Sequence, residues 1–268
     1  MLEFTVHAAT RLSGKSTEAA TRVAAIIPAR YASTRLPGKP LADIGGRPMV
    51  EHVYRRVAAA STVETVVVAT DDARVVQAVL AFGGNARMTR SDHLSGTDRV
   101  AEVADSLDHD LIVNVQADEP LIEPEMIDLA VAACRNNPSV VMSTLRCPLR
   151  NEADRLASDV VKVAIDRQGY ALFFSRAAIG HSRVADGAPG ASSVAKHIGL
   201  YVYRRPFLLT LRQLEPTPLE RAERLEQLRV LEHGYRILTA ATENEAIGVD
   251  TPADLEHVRR LVAAGVHV

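Results

Sequence analysis

From Val23 onward, short β-branched runs alternate with stretches whose apolar residues recur three and four apart, the pattern of strands alternating with amphipathic helices. The runs "VAAIIP" (23–28), "TVVVAT" (65–70), "LIVNV" (111–115) and "VVMSTL" (140–145) are apolar on both faces, as strands buried inside a parallel sheet must be. Between them, Met49, Val50, Val53 and Val57 form one helical stripe, Val75, Val76, Val79 and Leu80 a second, and Ile127, Ala130, Val131 and Cys134 a third. Asp71 stands where an N-cap belongs, and Pro124 where a first-turn proline belongs.

The second half has longer strands. "VVKVAID", "YALFFS" and "HIGLYVYR", joined by "RQG" and by a Gly/Ala/Ser-rich loop over 180–195, predict antiparallel pieces added to the parallel sheet. After Pro218, the residues Leu219, Ala222, Leu225, Leu228 and Leu231 share a helical face, followed by a strand "YRILTA" and a final helix from about Pro252. No internal repeat or interdomain linker interrupts the series, so residues 23–268 read as a single α/β domain. Residues 1–22, rich in Ala, Thr and Ser and without a continuous apolar run, read as a flexible extension rather than a secretory signal. Their Arg, Ser and Thr also fit a transit peptide, but Glu3 and Glu18 argue against it.

Composition narrows the chemistry. The 31 Lys and Arg nearly balance the 33 Asp and Glu, which gives no overall field for nucleic acid or an anionic membrane, so any anion must be held by a local cluster. No apolar run approaches the ~20 residues of a bilayer span. Cys134 and Cys147 form no Cys-x-x-Cys pair and point to neither zinc nor a redox motif. A reducing, cytoplasmic setting is the expectation.

In an open α/β sheet, ligands bind beyond the carboxyl ends of the strands, which directs attention to the loops found there. The first is "PARYASTRLPGKPL", with Arg30, Arg35 and Lys39. It is no Walker A loop, because Pro40 follows Lys39 and no glycine stands five residues before Gly38; it is either a polyphosphate cradle or a stiff solvated connector. "QADEP" places Asp118 and Glu119 after a strand, where a carboxylate suits Mg²⁺ or simply precedes a helix begun by Pro120 or Pro124. Asp250 in "GVDTPADL" is a second candidate, or an N-cap. "MTRSDHLSGTDR" offers Arg90, Ser95 and Gly96 ahead of a helix beginning near Thr97, either to read a base or ribose or as a connector capped by Thr97 or Asp98.

Taken together, "IIPARYASTRLPGKPLADIGGRPM", "VATDD", "MTRSDHLSGTDR", "IVNVQADEP", "GYALFFSR", "KHIGLYVYR", "LEQLRVLEHG" and "GVDTPADLE" resemble, in order, the blocks of the 3-deoxy-manno-octulosonate (Kdo) cytidylyltransferase family. The resemblance covers Val23 to about Val262. It implies an α/β, Rossmann-like nucleotidyltransferase fold, a mostly parallel mixed sheet flanked by helices, with an antiparallel dimerisation excursion over about 170–205. It implies transfer of CMP from CTP to Kdo for lipopolysaccharide synthesis, with Mg²⁺ and a homodimer. Arg30, Lys39, Asp118 and Asp250 would be catalytic, with Asp118 and Asp250 the metal ligands. Arg30, Ser33, Arg35, Lys39, Arg90 and Ser95 would bind the nucleotide, and Gln116, Arg176, His197, Tyr201, Glu226 and Gln227 would line the sugar site. Another CMP-sugar synthetase, for sialic acid or an amino-Kdo, would share the CTP loop. A noncatalytic nucleotide sensor would be expected to lack Asp118, Asp250 or Lys39, and all three are present. Two departures stand out: Ala117 replaces the usual glycine of "QGDEP", harmless if its φ is negative, and "IGHSR" follows Arg176 in a chain with no Trp.

Overall fold

A computed structural model describes residues 21–32, 35–93, 95–180 and 193–265. The first half runs β1 (Val23–Pro28), a single 3-10 turn (Lys39–Leu41), a hairpin of β2 (Asp43–Ile44) and β3 (Arg47–Pro48), α1 (Met49–Ala59), β4 (Thr65–Thr70), α2 (Ala73–Ala81), β5 (Ala86–Met88), α3 (Gly96–Asp105), β6 (Leu111–Asn114) and α4 (Pro124–Arg135). The second half holds β7 (Met142–Cys147), α5 (Glu152–Leu156), β8 (Lys162–Ile165), β9 (Ala171–Ser175), β10 (Val194–Arg204) and α6 (Arg205–Leu211). It continues through α7 (Pro218–Glu223), α8 (Gln227–Glu232), β11 (Ile237–Ala241) and α9 (Pro252–Ala263).

Nine strands form one mixed sheet in the order β11-β7-β10-β6-β1-β4-β5, with β8 joined to β10 and β9 joined to β8. β1 runs parallel to β4 and β6, whereas β10 is antiparallel to β6, β7 and β8, and this strand is the hinge between the parallel half and the antiparallel excursion. Alternation along β1 builds both faces: Ala25 and Ile27 meet the stripes of α1, α2 and α4, while Ala24 and Ile26 meet α3 and α6. Alanines are weak strand formers, and burial of Val23, Ile26 and Ile27, each contributing about 1.5–3 kcal/mol, overrides that preference.

A smaller cluster positions the acidic loops. Ile44, Met49, Leu121, Val249, Leu255 and Val258 pack together, fastening the segment after Asp118 and the residue before Asp250 to α9. The backbone N–H of Val249 also donates to the Asp118 carbonyl at 2.8 Å.

Several local expectations are corrected. Asp72, not Asp71, caps α2: its Oδ1 accepts from the Arg74 backbone N–H at 2.9 Å. α3 begins at Gly96 with Ser95 as its cap, because the Ser95 hydroxyl reaches the Asp98 N–H. The helix expected after Pro218 breaks in two at Arg224, whose φ of 53° is left-handed, and this turn lets Leu225 and Leu228 enter the core while Leu219 stays 41% exposed. Ala117 has no positive φ, so the alanine costs nothing in backbone strain. Residues 1–20 of the expected extension, Ser33 and most of the 180–195 loop lie outside the described residues. Arg22 belongs to the domain, since its guanidinium donates to the Asp108 carbonyl at 2.6 Å and its backbone N–H to the Asp110 carboxylate at 2.8 Å.

Candidate active site

At the carboxyl ends of β1 and β6 lies a cleft of about 340 Å³, and it brings Arg30, Arg35, Lys39, Ser95, Gln116, Asp118 and Asp250 together from loops far apart in the sequence. The loop after β1 is shaped by Gly38, at φ 70°, where a Cβ would stand 3.0 Å from the Tyr31 hydroxyl oxygen. Only glycine makes this turn without strain, and the turn delivers Lys39 to the cleft floor. Lys39 Nζ donates to Asp118 Oδ2 at 2.6 Å, to Asp250 Oδ1 at 3.1 Å and to the Val249 carbonyl at 3.1 Å. Burial alone would lower the Lys39 pKa, but the charges and hydrogen bonds of Asp118 and Asp250 outweigh it and hold the ammonium above its ordinary value. Arg35 adds a second cation on Asp250 at 2.9 Å, while Arg30 has no hydrogen-bond or ion-pair partner among the described residues.

The local folding explains why these acids face the cleft. Thr251 caps α9 and forms a capping box with Asp254, which leaves the Asp250 carboxylate free of capping duty. α4 starts at Pro124 with Glu123 as its cap residue, so Asp118 sits in a turn well ahead of the helix. Two carboxylates from different loops thus converge on a single cation. This donor set fits Mg²⁺, which takes one or two protein carboxylates and completes its shell with substrate phosphates and water. Among the described residues no group of three or more His, Cys, Asp or Glu gathers for a metal.

Two side chains in the cleft wall escaped the sequence reading. Arg99 is almost fully buried; it pairs with Asp71 at 2.9 Å, donates to the Arg90 carbonyl at 3.2 Å and makes a short hydrogen bond to the Thr89 hydroxyl. His93 lines the cleft and shares a short hydrogen bond with Glu102. Arg90, by contrast, does not line the cleft: its guanidinium is turned outward onto Asp92 at 2.6 Å, so only its backbone participates in bracing the wall.

Arg176, His197, Tyr201, Glu226 and Gln227 do not line the cleft. Tyr201 donates its hydroxyl to Gln227 Oε1 at 3.2 Å, and burial, with Glu226 and Glu119 nearby, pushes its phenol pKa up. Gln227 is buried with its Nε2 unpartnered, and so is Oε2 of Glu119, whose carboxyl burial and the Asp118 charge push up to about 8. Arg176 is turned away, donating to the Glu223 carbonyl at 3.1 Å and the Ser158 carbonyl at 3.2 Å. Its main chain is pinned by Lys162, a fully buried lysine whose ammonium donates to the carbonyls of Ala157, Val160 and Arg176 at 2.8, 2.6 and 2.5 Å. Nothing in the alternation of "VVKVAID" distinguishes such a lysine from one facing solvent.

His197 pairs with Arg146 just ahead of the register shift that β10 makes against β7 between Ile198 and Tyr201. The Thr144 hydroxyl stands 2.8 Å from the Leu200 carbonyl and 3.0 Å from His197 Nε2. The carbonyl can only accept, so the hydroxyl donates to it and the ring donates from Nε2–H. Burial drives the His197 pKa down to about 3, beside the edge of Phe174 at 4.8 Å. The native state therefore keeps this ring neutral, and stability present above the ordinary histidine pKa is lost as pH falls from about 6.5 toward 3, at up to about 1.4 kcal/mol per pH unit. Urea melts across that window should show a shallower acid slope for His197→Gln than for the wild type; equal slopes would contradict the assignment.

The chain matches the sequence profile of the cytidylyltransferase family over residues 24–237. It is 57% identical over 244 residues to the 3-deoxy-manno-octulosonate cytidylyltransferase of Geotalea uraniireducens (strain Rf4), covering 88% of this chain and 97% of that protein. It is 56% identical over 243 residues to the protein of the same name from Geobacter sulfurreducens (strain ATCC 51573 / DSM 12127 / PCA), covering 88% and 97%. The solved structure of a CMP:2-keto-3-deoxy-manno-octonic acid synthetase complexed with CTP superposes with a TM-score of 0.87 at 44% identity, over 91% of this chain and 100% of that one. With identity this high over nearly the whole domain, the chain belongs to the 3-deoxy-manno-octulosonate cytidylyltransferase family.

Proposed function

We propose that the protein transfers CMP from CTP to the anomeric hydroxyl of Kdo, releasing pyrophosphate and supplying an activated sugar for lipopolysaccharide synthesis in the cytoplasm. The observation that carries this reading is the convergence of Arg30, Arg35 and Lys39 with Asp118 and Asp250 in one cleft. An anionic sugar acid must approach an anionic triphosphate, so the cations offset repulsion and stabilise the charge that builds on the leaving pyrophosphate. Arg30, which has no ion-pair partner among the described residues, and Lys39 would take the phosphates, with Arg35 bridging to Asp250. Asp118 and Asp250 would hold Mg²⁺, which neutralises phosphate charge and lowers the pKa of the attacking hydroxyl when bound. The Kdo 2-hydroxyl oxygen bonds to the α-phosphorus in line as the bond to the β-phosphate oxygen breaks, and its proton passes to solvent. Nucleotidyl transfer needs positioning and electrostatics, and no side chain is required as a general base.

Gln116 lines the cleft, and Tyr201, Gln227 and Glu119 gather beside it with two unpartnered polar atoms, a composition suited to a polyhydroxylated acid. Release of pyrophosphate is expected with CTP, Mg²⁺ and Kdo together, and not when UTP replaces CTP or sialic acid replaces Kdo. Turnover of sialic acid at the Kdo rate would refute the sugar assignment. A homodimer through the antiparallel strands is supported by β9, which among the described residues pairs within the sheet only with β8 and carries Leu172 at 62% exposure. A monomer mass by light scattering would contradict it.

A further inference from the structure

The Lys162 side chain has no exposed surface, and burial lowers the pKa of its ammonium. β8 sets Lys162 opposite Ser175 of β9, and from there its ammonium reaches backbone alone: the carbonyls of Ala157 and Val160 in the turn before β8, and the Arg176 carbonyl just beyond β9. Glu223 holds the same residue from the other side. Its Oε2 accepts from the Arg176 N–H at 3.0 Å, and its Oε1 accepts from the Ser175 hydroxyl at 2.7 Å. Arg176 therefore has its N–H on a carboxylate and its C=O on an ammonium, two charge-assisted bonds that fix where its side chain leaves the main chain. The guanidinium, which is half-buried, meets only neutral acceptors, the Glu223 and Ser158 carbonyls, and forms no ion pair among the described residues. A planar cation held in this way can exchange two carbonyls for an incoming carboxylate without breaking an ion pair. Glu223 ends α7, and the turn after it leads to Glu226, which accepts from the hydroxyls of Ser95 and Thr97 at 2.8 and 2.7 Å, and to Gln227, which accepts from Tyr201.

We propose that Lys162 is a positioning residue for the sugar acid: together with Glu223 it clamps the Arg176 peptide, so that the guanidinium is presented beside the α7–α8 turn to the carboxylate of the substrate. Lys162 touches no substrate atom and acts only through Arg176. The inference rests on the chain acting on Kdo. An uncharged side chain of similar length would satisfy packing, but it would leave the Arg176 carbonyl without its donor and the guanidinium without a fixed origin.

The test is a double-mutant cycle on the full chain, read as the KM for Kdo at saturating CTP and Mg²⁺, beside calorimetric CTP affinity measured without sugar. Lys162→Met, which keeps the stem and removes the ammonium, should raise the KM for Kdo about tenfold, and Arg176→Ala about a hundredfold. The double variant should stay within about twofold of Arg176→Ala, because the clamp then has no side chain to aim. CTP affinity should hold within about twofold throughout, since the clamp lies outside the cleft that takes the triphosphate. Glu223→Gln removes the charge on the other side of the peptide from a half-buried position, should also raise the KM for Kdo, and decides the matter by the same cycle with Arg176→Ala if Lys162→Met does not fold. A full Lys162→Met effect persisting in the Arg176→Ala background would make the lysine merely structural and overturn the inference. An unchanged KM for Kdo in Lys162→Met and Glu223→Gln, or a matching loss of CTP affinity, would overturn it too. A wild-type chain that released no pyrophosphate with Kdo would refute the transfer reading and take the inference with it; wild-type turnover with unaffected variants would overturn the inference alone.

Discussion

Asp118→Asn is expected to lower kcat for pyrophosphate release about a thousandfold, the order seen when one preorganised electrostatic element is removed from a charge-developing transition state. Among the described residues Asp118 supplies one of the two carboxylates that meet on the Lys39 ammonium, and its separation from Lys39 Nζ is 2.6 Å. Asparagine keeps the shape of the side chain and removes the charge. Lys39 then retains Asp250 and the Val249 carbonyl, so the fold has little reason to suffer. The expected change in unfolding free energy is within about 1 kcal/mol, as for a partly solvated pair. Relief of the charge that faces buried Glu119 acts in the opposite, stabilising direction. A folded Asp118→Asn protein with near-normal turnover would remove Asp118 from the reaction.

Asp71→Ala should cost about 3–5 kcal/mol of stability, because it strands a buried guanidinium without its counter-charge. The Arg99 side chain is 3% exposed and that of Asp71 is 14% exposed, and Arg99 has no second ion-pair partner among the described residues to compensate. The adjacent Asp72 is the natural control. Asp72 caps α2 and pairs with the exposed Arg74, and Asp72→Ala should cost only the ~1 kcal/mol of a lost cap. Urea melts of the two variants decide the matter. A loss for Asp71→Ala no larger than that for Asp72→Ala would show that the buried pair contributes little. CTP affinity should also fall with Asp71→Ala and not with Asp72→Ala, since Arg99 lines the cleft wall.

These two aspartates also show how far the chain could be read in advance. Strands β1, β4 and β6 and helices α1, α2 and α4 were legible because each buries a face of fixed period, and burial energy follows that period. The positions of Asp118 and Asp250 after strands pointed to a ligand site because the carboxyl edge of such a sheet is where loops converge. What period cannot give is direction. Either Asp71 or Asp72 satisfies an N-cap pattern, and only the Arg99 guanidinium arriving from α3 decides between them. Arg90 and Arg99 look alike as cations near a strand end, yet one is turned onto Asp92 in solvent and the other is buried in the wall. The leucine stripe from Leu219 to Leu231 suits a continuous helix, but the turn at Arg224 swings the second half inward and leaves Leu219 at the surface. Glu226 and Lys162 carry no local mark at all, because the hydroxyls and carbonyls that define them come from other parts of the chain.

Phosphorus NMR of the wild-type protein with CTP, Mg²⁺ and Kdo tests most directly whether this cleft joins CMP to Kdo. A phosphodiester resonance and free pyrophosphate should grow at equal rates as CTP disappears, and neither should form without Kdo. Production of CMP and pyrophosphate without the phosphodiester, or of CDP and inorganic phosphate, would contradict it, since the cleft would then be hydrolysing the nucleotide rather than transferring it.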